Sequence, residues 1–177
     1  MKAVYHTPVP QSRPEATFDA SFWVHAAYLN LVDSMLQDFT LAVTAEVQGE
    51  IGEENPTGQR LKALLGSEHI RRDAASVHPI AFYGDGERAA INLALERRWL
   101  LLIDDWRPAE AARAAGLTTL SSILYVVRLF DEGRRTAEEV LDALAFMVRR
   151  NSIRNEYLLS ALNLVAEIRR RRGKQRP

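Results

Sequence analysis

Five carboxylates stand at positions from which separate elements could bring them together: Asp19, Glu50, Glu87 and the adjacent pair Asp104-Asp105. The pair is the most informative. It closes the apolar run Trp99-Leu100-Leu101-Leu102-Ile103, which reads as a buried parallel strand. Strand ends of this kind form the sheet edge where α/β proteins hold their ligands. Asp19 has a matching setting, after Ala16-Thr17-Phe18 and before a long apolar helix pattern. Converging carboxylates repel one another unless a cation neutralises them, and hard divalent ions such as Mg²⁺ or Mn²⁺ take oxygen ligands of this type. Such ions lower the pKa of water and neutralise phosphate oxygens as charge builds. The chemistry predicted is metal-dependent hydrolysis, with Asp19 and Asp104 or Asp105 as direct or water-mediated ligands and Glu50 and Glu87 completing the pocket by holding metal-bound waters or orienting the attacking one.

The elements that must position these acids alternate along the chain. Strands are expected at 16–19, 39–43, 99–103 and 117–120, with 77–82 as a strand or an extended connection held off a central position by Pro79. Helices are expected at 21–36, from Thr44 through Glu46 and Glu50, at 58–66, from Glu87 to about Arg98, and at 109–115 with Gly116 as a left-handed cap. Helices alone follow: 122–132, then 137–150 behind a Thr136/Glu139 capping box, then 153–171. This order predicts an α/β fold, a three-layer α/β/α sandwich with a mainly parallel central sheet and additional C-terminal helices. The expected layout is an irregular arm at 1–15 with an edge strand near Ala3-Val4-Tyr5, a single domain at 16–172 whose helical part is 133–172, and a basic tail at 173–177.

With 177 residues, 47% of them hydrophobic, the chain can bury one proper core, and 23 basic against 23 acidic residues give no net bias toward a polyanion. There is no cysteine, which excludes disulfides, thiolate zinc sites and cysteine nucleophiles. No apolar stretch approaches the roughly 20 residues of a membrane helix, and the N-terminus lacks a signal-like core, so a cytoplasmic chain without membrane partners is the expectation. His6, His25, His69 and His78 show no ligand spacing and read as surface or structural; Phe22, Trp23 and Tyr28 read as core. Apolar faces at Ile123, Val126, Val127, Phe130 and at Val140, Leu144, Met147 read chiefly as core, with part available to a homodimer. The basic run Arg169–Arg172 and the pairs Arg71-Arg72, Arg97-Arg98 and Arg149-Arg150 read as solvated helix positions or as phosphate contacts.

Three stretches together resemble a known family: Gly86-Glu87-Arg88-Ala89-Ala90-Ile91-Asn92-Leu93-Ala94, then Leu100-Leu101-Leu102-Ile103-Asp104-Asp105, then Ala114-Ala115-Gly116-Leu117. They resemble the PIN-like nuclease superfamily, and within it an uncharacterised branch related to VapC toxins. Asp19-Ala20-Ser21 resembles that family's opening Asp-x-Ser, and Val43 to Ile51 its second element, with Glu50 as the matching acid and Glu46 in reserve. Ser121-Ser122 stands where the family carries Gly-Thr, and Trp106-Arg107-Pro108 replaces a more basic stretch. The resemblance covers about residues 16–133. It implies a ribonuclease using Mg²⁺ or Mn²⁺ at Asp19, Glu87, Asp104 and Asp105, with Glu50 in the catalytic set and Ser21 and Ser122 in support. It also implies RNA as substrate and an antitoxin protein as partner. The alternatives are a catalytically silent PIN-fold module that binds protein or RNA, and an unrelated α/β regulatory domain. Each acid has a structural reading as well: Asp19 as a helix cap, Glu50 as a solvated helix residue, Glu87 as a helix-start charge, and Asp104-Asp105 as a turn.

Overall fold

A computed structural model describes residues 13–81 and 83–174. The expected edge strand at 3–5, Phe82 and the last three residues of the tail lie outside the described residues. Five strands form one parallel sheet in the order β3-β2-β1-β4-β5: β1 Glu15–Phe18, β2 Thr40–Val43, β3 Ile70–Arg72, β4 Leu100–Leu102 and β5 Thr119–Leu120. The helices are α1 Ala20–Tyr28, α2 Val32–Asp38, α3 Ala45–Ile51, α4 Pro56–Gly66, α5 Asp85–Arg97, α6 Trp106–Ala114, α7 Ser122–Asp131, α8 Ala137–Arg149 and α9 Asn155–Lys174. The architecture is the expected three-layer α/β/α sandwich. Among the described residues no helix is long and apolar enough to cross a membrane.

The strand order sets the site. The chain leaves β1 toward β2 and β3 on one side, then returns to place β4 and β5 on the other. The gap between β1 and β4 is therefore the topological switch point, where connections diverge and a crevice opens at the C-terminal strand ends. Phe18 lies in register with Leu102, and the Asp19 N–H donates to the Leu102 carbonyl at 3.1 Å. Asp19 and Asp104 thus leave the two strands that flank the crevice.

Sheet and helices are joined by apolar side chains excluded from water. Ala16, Phe18, Leu41, Val43, Leu101 and Leu102 are fully or almost fully buried, and burying a side chain of leucine size stabilises by about 2 kcal/mol. Phe18 stacks on Trp23 of α1 with ring centroids 5.2 Å apart, and the Trp23 indole N–H donates to the Thr57 carbonyl at 2.9 Å. Helix α5 packs on β1 and β4, and α7 carries α8 and α9 outside it. Ile123, Val126, Val127, Phe130, Val140, Leu144 and Met147 are all buried within the chain, so these residues form core rather than a dimer face.

Two expectations need correction, and one open choice is decided. The helix expected at 21–36 is two helices, because Asn30 adopts φ 53° and closes α1 with a Leu31 N–H to Ala26 carbonyl bond and an Asn30 N–H to Ala27 carbonyl bond. That left-handed ending is one asparagine tolerates, and Gly116 ends α6 in the same way. The described part of 77–82 is not a strand. It is an extended connection whose Ile80 backbone pairs with the buried Asn92 amide, N–H to Oδ1 and Nδ2 to carbonyl, both at 3.0 Å. The fifth strand is instead Ile70–Arg72, a three-residue edge with one apolar side chain.

Candidate functional site

Asp19 is the first residue after β1, and its geometry follows from the strand-to-helix turn. It is the N-cap of α1: Oδ1 accepts from the Phe22 N–H at 2.8 Å and Oδ2 from the Ser21 hydroxyl at 2.6 Å. The capping role and the clustering role fall on one carboxylate. Only 1% of the residue is exposed. Burial, which penalises the charged form, pushes its pKa from 3.8 up to about 8; the bonds from Ser21 and Phe22 oppose this, and the charges of Asp104 and Glu87 add to it.

Asp104, two residues beyond β4, is held at both oxygens. His25 Nδ1 lies 2.7 Å from Oδ2, and the Ser122 N–H at the start of α7 donates to Oδ1 at 2.7 Å. The His25 side chain is 9% exposed and that of Asp104 5%. Spacing alone reads His25 as surface or structural; the fold makes it the direct partner of a predicted ligand. The signal is faint, since Ser21 and His25 share one helix face four residues apart while the partner lies 79 residues away. The Ser122 hydroxyl is buried and makes no hydrogen bond among the described residues.

Glu87 sits in the first turn of α5, half-buried, with Oε2 accepting from the Gly84 N–H at 3.0 Å. Asp105 stands near enough to act on it electrostatically. The Glu87 carboxyl is held above the usual range, chiefly by burial and then by the neighbouring charges of Asp105 and Glu50, with the Gly84 bond opposing. Glu50, exposed on α3, accepts from the Gly86 N–H through Oε1 at 2.7 Å. A Cβ at position 86 would overlap this carboxylate, so glycine there lets the Glu50 side chain lie against the start of α5. Glu46, in the first turn of α3, has no such bond among the described residues.

The fold therefore brings all five predicted acids into one electrostatically connected set: Asp19 with Asp104 inside, Glu87 with Asp105 and Glu50 toward solvent, and Asp19 sensing Glu87 across the two. Among the described residues none of the five pairs with lysine or arginine; His25 is the one basic side chain in contact. Nor, among the described residues, do three histidine or carboxylate side chains stand close enough to enclose one ion. The all-oxygen donors and the Ser122 hydroxyl beside Asp104, unpartnered among the described residues, are of the type a hard divalent cation takes, without a finished coordination sphere.

Beside the acids lies an aromatic and basic margin. Trp106 follows Asp105 directly, and the Arg154 guanidinium lies over its ring at 4.3 Å. Phe146 of α8 meets His25 edge-on with centroids 6.5 Å apart, and Arg150 lies over both Phe146 and Tyr28, at 5.5 and 5.3 Å. Tyr28 is 54% exposed, which corrects its reading as core; Phe22 and Trp23 are buried as expected. Two of the C-terminal arginines do other work: Arg171 pairs with Asp131, and Arg172 covers Phe130 and donates to the last carbonyls of α7.

A family model described as a PIN domain matches residues 18–166. Among solved structures, the chain is similar to a PilT N-terminus domain protein from the hyperthermophilic archaeon Sulfolobus solfataricus P2, at 16% identity over 60% of this chain and 85% of that one, with a TM-score of 0.39. It is also similar to the RRP44 PIN domain of T. brucei, at 14% identity over 74% and 87%, with a TM-score of 0.49. No curated protein matches the chain.

Proposed function

The chain belongs to the PIN-domain family, and on that premise we propose that it is a divalent-metal-dependent ribonuclease that hydrolyses phosphodiester bonds in RNA. One arrangement supports the reading: Asp19 and Asp104 leave the two strands that flank the switch point, the charges of Asp104 and Glu87 act on Asp19, and those of Asp105 and Glu50 act on Glu87, with no lysine or arginine partner for any of the five among the described residues. A structural acid cluster would gain from such partners. An unpartnered one suits a cation that arrives from solvent.

Asp19, Glu87, Asp104 and Asp105 would hold Mg²⁺ or Mn²⁺. When bound, the ion makes water a better nucleophile and neutralises charge on the phosphate oxygens. His25 and the Ser122 N–H keep the Asp104 carboxylate from turning, and the Phe22 N–H and Ser21 hydroxyl do the same for Asp19. The Gly86 N–H anchors one oxygen of Glu50 and leaves the other to orient water. The buried position of Asp19 keeps its carboxyl protonated until a cation displaces the proton, and then keeps bulk water from screening the charge released.

The resemblance to VapC-related chains extends the reading to the toxin of a toxin–antitoxin pair, with a cytoplasmic RNA as target. A second reading has its own support: no three described side chains enclose an ion as they stand, as in a catalytically silent module that binds RNA or protein. Cleavage of labelled RNA in Mn²⁺, in Mg²⁺ and in EDTA separates the two. The ribonuclease reading requires cleavage that EDTA stops and that Asp104→Asn removes. Mn²⁺ binding without cleavage would favour the silent module, and cleavage that persists in Asp104→Asn would sink the assignment.

A further inference from the structure

A cluster of five acids poses a problem for its own substrate, because a polyanion is repelled from the crevice unless cationic groups stand close by. Several arginines of this chain are committed elsewhere: Arg71, Arg88, Arg97, Arg128, Arg134, Arg135 and Arg171 each pair with a carboxylate. Arg107 and Arg150 do not, among the described residues, and each is exposed and lies over an aromatic ring. Arg154 lies over the other approach to Trp106 while its partner Glu156 remains largely exposed. These three arginines and the rings of Trp106 and Tyr28 adjoin the acids through two short chains of neighbours. One runs Asp105 to Trp106 to Arg154; the other runs Asp104 to His25 to Phe146 to Arg150.

We infer that this margin, built by Trp106, Arg107, Arg150, Arg154 and Tyr28, is the track on which single-stranded RNA lies as it enters the acidic crevice. The guanidinium groups meet the phosphates, and the exposed Tyr28 ring and the Trp106–Arg154 stack receive bases. Alternating cations and ring faces is the arrangement that holds an unpaired strand without reading its sequence. The inference rests on the RNA half of the proposed function, and its test is made without divalent metal so that binding and hydrolysis are scored apart.

The probe is a fluorescent oligoribonucleotide of about a dozen unpaired nucleotides, titrated by anisotropy in EDTA at several salt concentrations. Arg150→Ala with Arg154→Ala should weaken binding on the order of tenfold and reduce the salt slope by roughly 0.7 for each phosphate that is no longer neutralised. Trp106→Ala should weaken binding on the order of tenfold with the salt slope unchanged. Arg154→Lys keeps the charge and guards against a folding defect; it should retain the slope and lose part of the affinity. Arg169→Ala with Arg170→Ala, on the far part of α9, should bind as the wild type does. Wild-type protein that fails to bind, margin variants that bind unchanged, or a duplex that competes as well as the single strand would each overturn the inference. Wild type that binds through the margin yet cleaves nothing in Mn²⁺ would overturn the hydrolytic reading and leave this one standing.

Discussion

The crevice acids and the acids of the helical layer obey opposite rules. In the helical layer, Asp38 accepts from the Tyr125 hydroxyl at 2.7 Å and pairs with Arg134, which also reaches Glu132. Arg128 and Arg135 hold Glu132 and Glu139 four residues on, at the end of α7 and the start of α8. The carboxyls of Glu132 and Glu139 are held below their usual range by hydrogen bonds, Glu132 by that from Arg128 first and Glu139 by that from the Thr136 N–H first. In the crevice, Asp19 and Glu87 are both raised, with burial as the first cause. The helical layer uses its arginines to stabilise negative charge; the crevice concentrates negative charge and supplies one histidine. Acids kept uncompensated at a sheet edge are costly to the fold, so their retention points to a ligand.

The largest test of this contrast is catalytic. Asp104→Asn should lower cleavage on the order of 10²- to 10³-fold, the usual loss when one transition-state charge partner is removed. Asp38→Asn, equally acidic in origin and placed in the helical layer, should cleave RNA at the wild-type rate. If both variants lose activity equally, the two regions are not distinct in function.

His25 gives the next effect. His25→Ala should weaken Mn²⁺ binding, followed by electron paramagnetic resonance, on the order of 10- to 100-fold, as expected when the group orienting a ligand is lost. His25→Asn places an amide nitrogen where Nδ1 stands and should recover much of the affinity. His25→Gln reaches the Nε2 position and should not. Equal recovery by both would mean that packing against Phe146, rather than the bond to Asp104, is what matters.

A pH series sharpens the comparison through Asp19. Its folded pKa, about 8, lies above the ordinary 3.8, so the folded state holds a proton that the unfolded state has released between those values. The stability linked to this proton is fully present below pH 3.8 and is lost as pH rises through about 8. In metal-free buffer, the melting temperature of Asp19→Asn should therefore draw ahead of the wild type across that window and stay ahead above it. Mn²⁺ should narrow the difference, and more at about pH 8.5 than at about pH 5.5, because binding must displace the proton. A constant gap at all pH values would contradict the buried, protonated Asp19.

The smallest effects belong to the helical layer. Asp38→Ala leaves the Tyr125 hydroxyl buried without its acceptor and should cost about 1–3 kcal/mol in a urea melt. Glu132→Gln, at a half-exposed pair, should cost about 0–1 kcal/mol.

Much of this is legible in the residues because the strands around the crevice are buried on both faces. Leu100 to Ile103 and Ala16 to Phe18 read as strands by apolar content alone, and the carboxylates that follow them inherit their positions from the strand ends. Glu50 and Glu87 are positioned by helix starts whose caps are local signals, Thr44 and Gly84. What escapes a reading of the residues depends on distant partners. His25 gains its meaning from Asp104, which sequence spacing does not place beside it. Tyr28 follows the apolar pattern of α1 yet ends on its outer side, since the chain turns at Asn30. Ile70–Arg72 lacks both alternation and apolar length, and only the free edge of β2 makes it a strand.

The side-chain amide of Asn92 has a consequence for how this fold can vary. Together with Glu96, which accepts from the Ser76 and Val77 backbone, it fastens the stretch ahead of α5 to α5 itself, as a splint is bound to the limb it serves. That stretch borrows little from the sheet beyond its first residue, Asp73, whose N–H reaches the Val43 carbonyl. Its outer residues are therefore open to replacement or extension while Glu87 keeps its post, provided position 92 remains asparagine.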